Sequence, residues 1–505
     1  MKKIKRALIS VYYKDGLEPI LRKLNELGVE IYSTGGTFNF IRQLGIRAFT
    51  IESLTDYPSI LGGRVKTLHP SIFGGILARR DQDSDKQQLI EHNILEFDLV
   101  IVDLYPFGET VENTNDEQQI IEKIDIGGIS LIRAAAKNFN DVVVIAGRHL
   151  YTQLLDLLDN KNGVSNLEDR KNLAAEAYNI SSHYDTAIFN YFNKDSYIPV
   201  FKESFSGLQP MRYGENPHQQ GVFFGNLKEV FEQLHGKEIS YNNLADLDAA
   251  IALVQEFDEP TFAIIKHTNA CGLATRDKLI AAWKDALACD PISAFGGVLI
   301  TNQIVDTETA QEINSLFFEV ILAPGYAEEG LNLLKFKKNR IILRQKSFNF
   351  KSVQFKSALN GVLWQEKDMR SESIGDLKLV THKSPSDEEV ADLLWANKVV
   401  KHTKSNAIVL AKNKQLFGSG TGQTSRVDAT IHAIGKAKSF AFNLHGAVMA
   451  SDAFFPFTDS IELAYKSGIT AVIQPGGSVR DQESIDFCNE HNLVMVFTGH
   501  RHFRH

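Results

Sequence analysis

Glu30-Ile31-Tyr32-Ser33-Thr34-Gly35-Gly36-Thr37 decides the architecture of the first part of the chain. A short β-rich run stops on two glycines, with hydroxyl side chains on both sides. Glycine directly after a strand lets the backbone come close to a ligand with its N–H groups turned inward. Working outward, ALISV (7–11), LVIVDLY (99–105) and VVVIAG (142–147) are further short apolar runs, and polar segments of helical period, 16–27 and 85–96, lie between them. Strands spaced by helices need crossover connections, so the first 150 residues predict an α/β unit with a mostly parallel sheet. Ligands bind such sheets where strands end. Gly35-Gly36, Gly62-Gly63 and Gly127-Gly128 are expected at those places.

Residues 165–192 read as one helix, with apolar positions at 173, 174, 177 and 180. Periodicity fails over 193–210 and again over the polar stretch 366–389, which divides the chain into 1–198, 199–370 and 371–505. The last two pieces echo each other. KHTNA (266–270) is like KHTKSNA (401–407), SAFGG (293–297) is like SDAFFPF (451–457), and the spacings are similar, which points to duplication of one fold.

Composition excludes several partners. The 505 residues hold 54 Lys+Arg against 62 Asp+Glu, a net charge of −8, with no long basic run. That balance disfavours nucleic acid and anionic membrane surfaces, so local basic residues must hold any anionic ligand. Cys271, Cys289 and Cys488 are far apart and form neither a disulfide framework nor a zinc set. A reducing, cytoplasmic compartment is expected. The start, MKKIKRALISVYY, reads as a first strand rather than a leader, and no apolar run reaches the length of a spanning helix.

Three stretches of the first piece carry candidate chemistry. Gly62-Gly63-Arg64-Val65-Lys66-Thr67-Leu68-His69-Pro70 gathers two cations, a hydroxyl and an imidazole behind two glycines. In extended geometry Arg64 and Lys66 point the same way. Two cations side by side repel unless an anion such as phosphate sits between them. Asp125-Ile126-Gly127-Gly128 opens an Ala-rich run whose first N–H groups are expected to face an oxyanion, with Arg133 and Lys137 on one helix face. Tyr105, in Asp103-Leu104-Tyr105-Pro106-Phe107, closes a strand. GGRVKTLHP and IDIGG-x-SLIRAAAKN, with STGGT and DLYPF, closely resemble the signatures of the IMP cyclohydrolase family. The resemblance implies a methylglyoxal-synthase-like fold. It also implies that Ser10, Lys14, Ser33, Gly36, Thr37, Arg64 and Thr67 hold the 5′-phosphate and ribose. Lys66, Tyr105, Asp125 and Lys137 would serve the chemistry, with the backbone of Ile126 and Gly127 nearby. Tyr12 and Tyr13 depart from the family, which usually shows a small polar or acidic residue there, and Asp103 stands where Asn is common.

The remaining chain carries a second constellation. Met211-Arg212-Tyr213-Gly214-Glu215-Asn216-Pro217-His218-Gln219 has neither helical nor strand period and reads as an ordered loop. Lys266-His267 follows the apolar run 261–265, and a lysine charge beside a histidine favours a neutral base. GSGTG (418–422) lacks the third glycine and downstream acid of a dinucleotide fingerprint. RYGENPHQ, KHTNACG, DPISAFGG, LAPGY, KSNAIVLAKN, GTGQTSR and SDAFFPF resemble the AICAR transformylase family in order. Nearly the whole chain is thus similar to the bifunctional transformylase/cyclohydrolase family. That resemblance implies two cytidine-deaminase-like subdomains, catalysis by Lys266, His267 and Asn406, and 10-formyltetrahydrofolate as co-substrate without a catalytic metal. Arg212, Tyr213, Phe295, Gly296, Glu319, Gln423, Arg426, Phe455, Phe503 and His505 would position AICAR and the folate. A homodimer with transformylase sites at the subunit interface is also implied. The competing reading is a regulatory nucleotide sensor built on the first domain.

Overall fold

A computed structural model describes residues 1–195 and 197–505, in two compact units, Met1–Phe205 and Ser206–His505. The first unit is organised on five parallel strands: β1 (Arg6–Val11), β2 (Glu30–Ser33), β3 (Phe49–Thr50), β4 (Leu99–Asp103) and β5 (Val143–Ile145), in the order β3-β2-β1-β4-β5. Leu99–Val102 of β4 is an unbroken apolar run because helices cover both faces of a parallel sheet. α1 (Leu17–Glu26) turns Leu17, Ile20, Leu21 and Leu24 onto the sheet, the spacing of one helix face. α2 (Gly35–Gln43) follows β2 and α3 (Pro70–Leu77) follows the basic loop. α4 (Gly127–Lys137) precedes β5, and α5 (Leu167–Asn193) closes the unit from a capping box between Asn166 and Asp169.

The second unit is built on one twelve-stranded sheet. Its strands are β6 (Phe231–His235), β7 (Thr261–Lys266), β8 (Asn269–Thr275), β9 (Val298–Thr301), β10 (Val320–Ala323) and β11 (Ile341–Gln345), then β12 (Lys378–Leu379), β13 (Ile408–Lys412), β14 (Gln415–Gly420), β15 (Val448–Ser451), β16 (Ala471–Gln474) and β17 (Val494–Phe497). Their order is β6-β11-β10-β9-β7-β8-β14-β13-β15-β16-β17-β12. Read from either edge, the succession is the same: an edge strand, three parallel strands, then an antiparallel hairpin that meets its counterpart at the β8–β14 seam. α6 (Tyr241–Val254) precedes the first hairpin as α8 (Asp387–Lys401) precedes the second, and α7 (Leu279–Cys289) follows the first as α9 (Arg426–Ser439) follows the second.

The duplication is real, but the sequence echoes do not trace it. Lys266-His267 lies at the end of β7, whereas Lys401-His402 closes α8, ahead of β13. SAFGG precedes β9, whereas SDAFFPF follows β15. The true counterpart of the His267-Thr268 turn is Asn413-Lys414. Both pairs sit at the tip of a hairpin, all four residues have φ between 51° and 63°, and each hairpin carries a register shift one turn back.

Candidate functional sites

In the first unit the strand ends converge on one edge. The Ser33 hydroxyl donates to the carbonyl of Ile9 at 2.7 Å, and the Thr37 hydroxyl both accepts from the N–H of Val11 at 3.2 Å and donates to its carbonyl at 3.0 Å. Both side chains are buried. They lock β2 and α2 against β1. The backbone N–H groups at the start of α2 have no side-chain cap. A side chain at Gly36 would meet nothing within 4 Å, so the approach to them is open. Ser10 and Thr34 share a hydrogen bond of 2.9 Å beside it, and Lys14 donates to the carbonyls of Val11 and Tyr12.

The basic loop is a turn, not the extended segment expected. Leu61, Gly62 and Gly63 all have positive φ, and Arg64 is helical, so strand alternation does not align it with Lys66. Arg64 is 67% exposed and ion-pairs with Glu122. Lys66 does turn inward: its charge acts on Lys14 and on Asp125. Burial raises the Asp125 carboxyl above the usual range, against the N–H groups of Gly128, Tyr105 and Ile129 and the Lys66 ammonium. Burial first, then Asp125 and Tyr12, likewise raises the Tyr105 hydroxyl. The two glycines opening α4 are demanded by this crowding. A Cβ on Gly128 would lie 2.6 Å from a carboxylate oxygen of Asp125, and one on Gly127 would lie 3.0 Å from the buried Thr67 hydroxyl. Ile126 is exposed at the helix start.

Lys137 is not part of this cluster. It ends α4, eleven residues from Gly127 counting both ends, and at 1.5 Å per residue that separates it by about 15 Å from Asp125–Gly127. Its neighbour Asn138 donates to the carbonyls of Ile76 and Ala78, at the far end of α3. Sequence reading missed Lys123, whose ammonium lies over the Tyr12 and Tyr105 rings, and Tyr184, whose hydroxyl accepts from the N–H of Asp125 at 2.8 Å.

In the second unit Lys266 and His267 line a cavity of about 330 Å³ at the seam between the two halves, with Asn269 and Asp290 from one half and Gln423 and Lys436 from the other. His267 and Thr268 occupy the left-handed region, which a β-branched residue such as Thr268 enters only under strain. Asp246, on α6, holds the turn: it accepts from the N–H of Thr268 at 2.6 Å, and burial raises its carboxyl against the pull of that N–H and of the His267 charge. Nothing in the sequence had marked it. Lys266 donates to the carbonyl of Phe295 at 2.5 Å, and Gly296 stands beside it with a φ of 72°. The Phe295 and Phe317 rings pack 4.9 Å apart, and Glu319 pairs with Lys237 at 2.7 Å. Arg212 lies over Tyr213 in a loop closed by Gly214 and Gln219, and Asn242 of α6 donates to the carbonyl of Glu215.

Three placements bear on the sequence reading here. Phe455 is fully buried in the core of the second half, while Phe454 and Phe457 carry the exposed ring surface of that loop. Arg426 is buried and ion-paired with Asp452. Asn406 is committed on both sides: its Nδ2 donates to the carbonyls of Gln423 and Thr424, and its Oδ1 accepts from Arg426 at 2.9 Å. The C-terminal tail runs beside it, since Ser405 donates to the carbonyl of Arg504 and the N–H of Arg504 donates to the Ser405 hydroxyl. The tail thereby brings Phe503, 40% exposed, and His505 to this segment.

Two family models match the chain in succession. A family model described as MGS-like domain matches residues 16–130, and one described as AICARFT/IMPCHase bienzyme matches 135–436. The bifunctional purine biosynthesis protein PurH of Bacteroides thetaiotaomicron is 60% identical over 504 residues, covering 100% of this chain and 99% of that one. The protein of the same name from Aquifex aeolicus is 48% identical, covering 99% of this chain and 100% of that one. That of Caldicellulosiruptor saccharolyticus is 46% identical with the same coverage. With more than half its length under one family model and full-length relatives at these identities, the chain belongs to the AICARFT/IMPCHase bienzyme family.

Proposed function

We propose that the first unit closes FAICAR to IMP at Lys66, Tyr105 and Asp125, and that the second transfers a formyl group from 10-formyltetrahydrofolate to AICAR at Lys266 and His267. The observation that carries this reading is the presence of two separate proton-handling clusters, one in each unit. A nucleotide sensor needs the phosphate donors but not Asp125 and Tyr105 gathered beside Lys66.

For transfer, the AICAR amine attacks the formyl carbon, the new C–N bond forms, and the bond from that carbon to N10 of the folate breaks. His267 takes the amine proton and Lys266 returns one to N10, which leaves tetrahydrofolate. Binding of the formyl oxygen by Asn406 requires one of its Nδ2 bonds to open. The exposed aromatic rings of Phe295, Phe457 and Phe503 suit a flat pterin.

For closure, the FAICAR carboxamide nitrogen attacks the neighbouring formyl carbon. Both groups sit on one imidazole ring, so the step needs a rotamer more than an encounter. Charge gathers on the formyl oxygen, where the Lys66 ammonium and the N–H groups opening α4 stabilise it. Tyr105 donates to that oxygen and Asp125 accepts the carboxamide proton; Asp125 then returns it to the hydroxyl, which leaves as water while the former formamide nitrogen gives its proton to the Tyr105 phenolate. The 5′-phosphate lies against the start of α2 with Ser10 and Lys14.

A homodimer is part of the reading. The hairpin of Val353–Ala358 and Gly361–Glu366 exposes Val362, Leu363 and Trp364 together. A lone two-stranded hairpin is marginal in water, so a second copy is its expected cover. The three cysteines are unpaired, which suits the cytoplasm. The direct test is IMP formation from supplied FAICAR by Lys66→Ala beside wild type. Equal rates would remove the catalytic assignment.

A further inference from the structure

Tyr12 and Lys123 have no part in the chemistry above, yet they meet at its centre. The Lys123 ammonium stands 5.0 Å from the centroid of the Tyr12 ring and 5.9 Å from that of Tyr105, and it donates to the Tyr12 hydroxyl at 3.4 Å. The two rings meet edge to face, with centroids 5.5 Å apart at 71°. Cations favour the faces of aromatic rings, and aromatic pairs favour this crossed arrangement. The backbone of Lys123 is fixed as well. The buried Tyr184 hydroxyl donates to the Lys123 carbonyl at 2.6 Å and accepts from the Asp125 N–H at 2.8 Å, so Lys123 and Asp125 hang from one oxygen. Tyr12 is tied in turn, since its carbonyl accepts from Lys14 at 2.9 Å.

We propose that Tyr12 and Lys123 form a clamp that fixes the Tyr105 ring for proton transfer during ring closure. They are positioning residues, and the inference rests on the reading of Tyr105 as the proton donor. Tyr105 follows a strand end and is only half-buried. Tyr12 blocks one edge and Lys123 covers a face. The clamp also accounts for a tyrosine at position 12, where a small residue would remove the nearer of the two rings that Lys123 covers.

The test uses the full-length enzyme and both of its activities. Lys123→Met keeps the length of the side chain and removes the charge. It is expected to lower the kcat of FAICAR closure about tenfold, within the range of a cation–π contact, with KM changed less than about twofold. Tyr12→Ala should behave alike, while Lys123→Arg and Tyr12→Phe, which keep the cation and the ring, should stay near wild type. Formyl transfer by the same preparations, read on the other unit, should not move. A loss confined to KM, or equal losses in Lys123→Met and Lys123→Arg, overturns the clamp. Tyr105→Phe separates the two readings. If it closes FAICAR at the wild-type rate, the role of Tyr105 falls; if it is impaired while Lys123→Met and Tyr12→Ala match wild type, the clamp alone is refuted.

Discussion

Asp246→Ala should disable formyl transfer without touching substrate, because it unlocks the turn that presents His267. Holding an L-residue in the left-handed region costs about 1–2 kcal/mol, and the turn does so twice, at His267 and Thr268. The opposing force is the bond from the Thr268 N–H to the Asp246 carboxylate, 2.6 Å long. A hydrogen bond to a charged group contributes about 1.5–3 kcal/mol. Loss of about 2 kcal/mol from this balance lowers the population of the active turn about 30-fold, and kcat for tetrahydrofolate release should fall by the same factor. A second variant should rescue the first. Thr268→Gly removes the Cβ that makes the left-handed region costly, so Asp246→Ala/Thr268→Gly should regain most of the lost rate. Closure of supplied FAICAR should be normal in all three variants. Wild-type transfer by Asp246→Ala, or a double variant no better than the single one, would refute the reasoning.

Other outcomes follow from the same geometry. Lys137→Ala should close FAICAR within about twofold of wild type, since the residue stands a full helix length from the cluster; a loss of about a hundredfold would return it to the chemistry. His502 is buried, which lowers its basicity, but Asp368 and Glu372 outweigh this and hold it up to about 9. A folded value above the unfolded one, about 6.5, stabilises the protein fully below pH 6.5, and the benefit fades as pH rises through 9. Denaturation of wild type against His502→Gln should show a gap of about 3 kcal/mol at pH 6 that closes by pH 10. Gly128→Ala should abolish closure and spare transfer, because the added carbon collides with the Asp125 carboxylate.

Four strands of the first unit were legible as short β-rich runs, but of the glycine pairs only Gly35-Gly36 falls at a strand end, whereas Gly62-Gly63 sits in a turn and Gly127-Gly128 opens α4. What the sequence left unread was distance along a helix. Period 3.6 correctly puts Arg133 and Lys137 on one face, but the ligand is expected at the helix start, and only the count of residues from Gly127 separates Lys137 from it. Lys123 and Asp246 were illegible for another reason. Their partners lie 111 and 22 residues away, and neither sits in a pattern that periodicity detects. In Phe454-Phe455-Pro456-Phe457 the composition announces an aromatic loop, but tertiary packing chooses which ring enters the core. The duplication was inferred from look-alike peptides that occupy different places in the two halves. Its actual imprint is the backbone of two turns, His267-Thr268 and Asn413-Lys414, whose residue types have nothing in common.

The central claim is that two independent sites act in succession on a released intermediate. Lys66→Ala and His267→Ala proteins, each purified and each unable to make IMP from AICAR and 10-formyltetrahydrofolate, should be mixed and assayed for IMP. The account predicts that the mixture forms IMP, since one variant supplies FAICAR and the other closes it. A mixture as inactive as its components, with both variants folded, would contradict it.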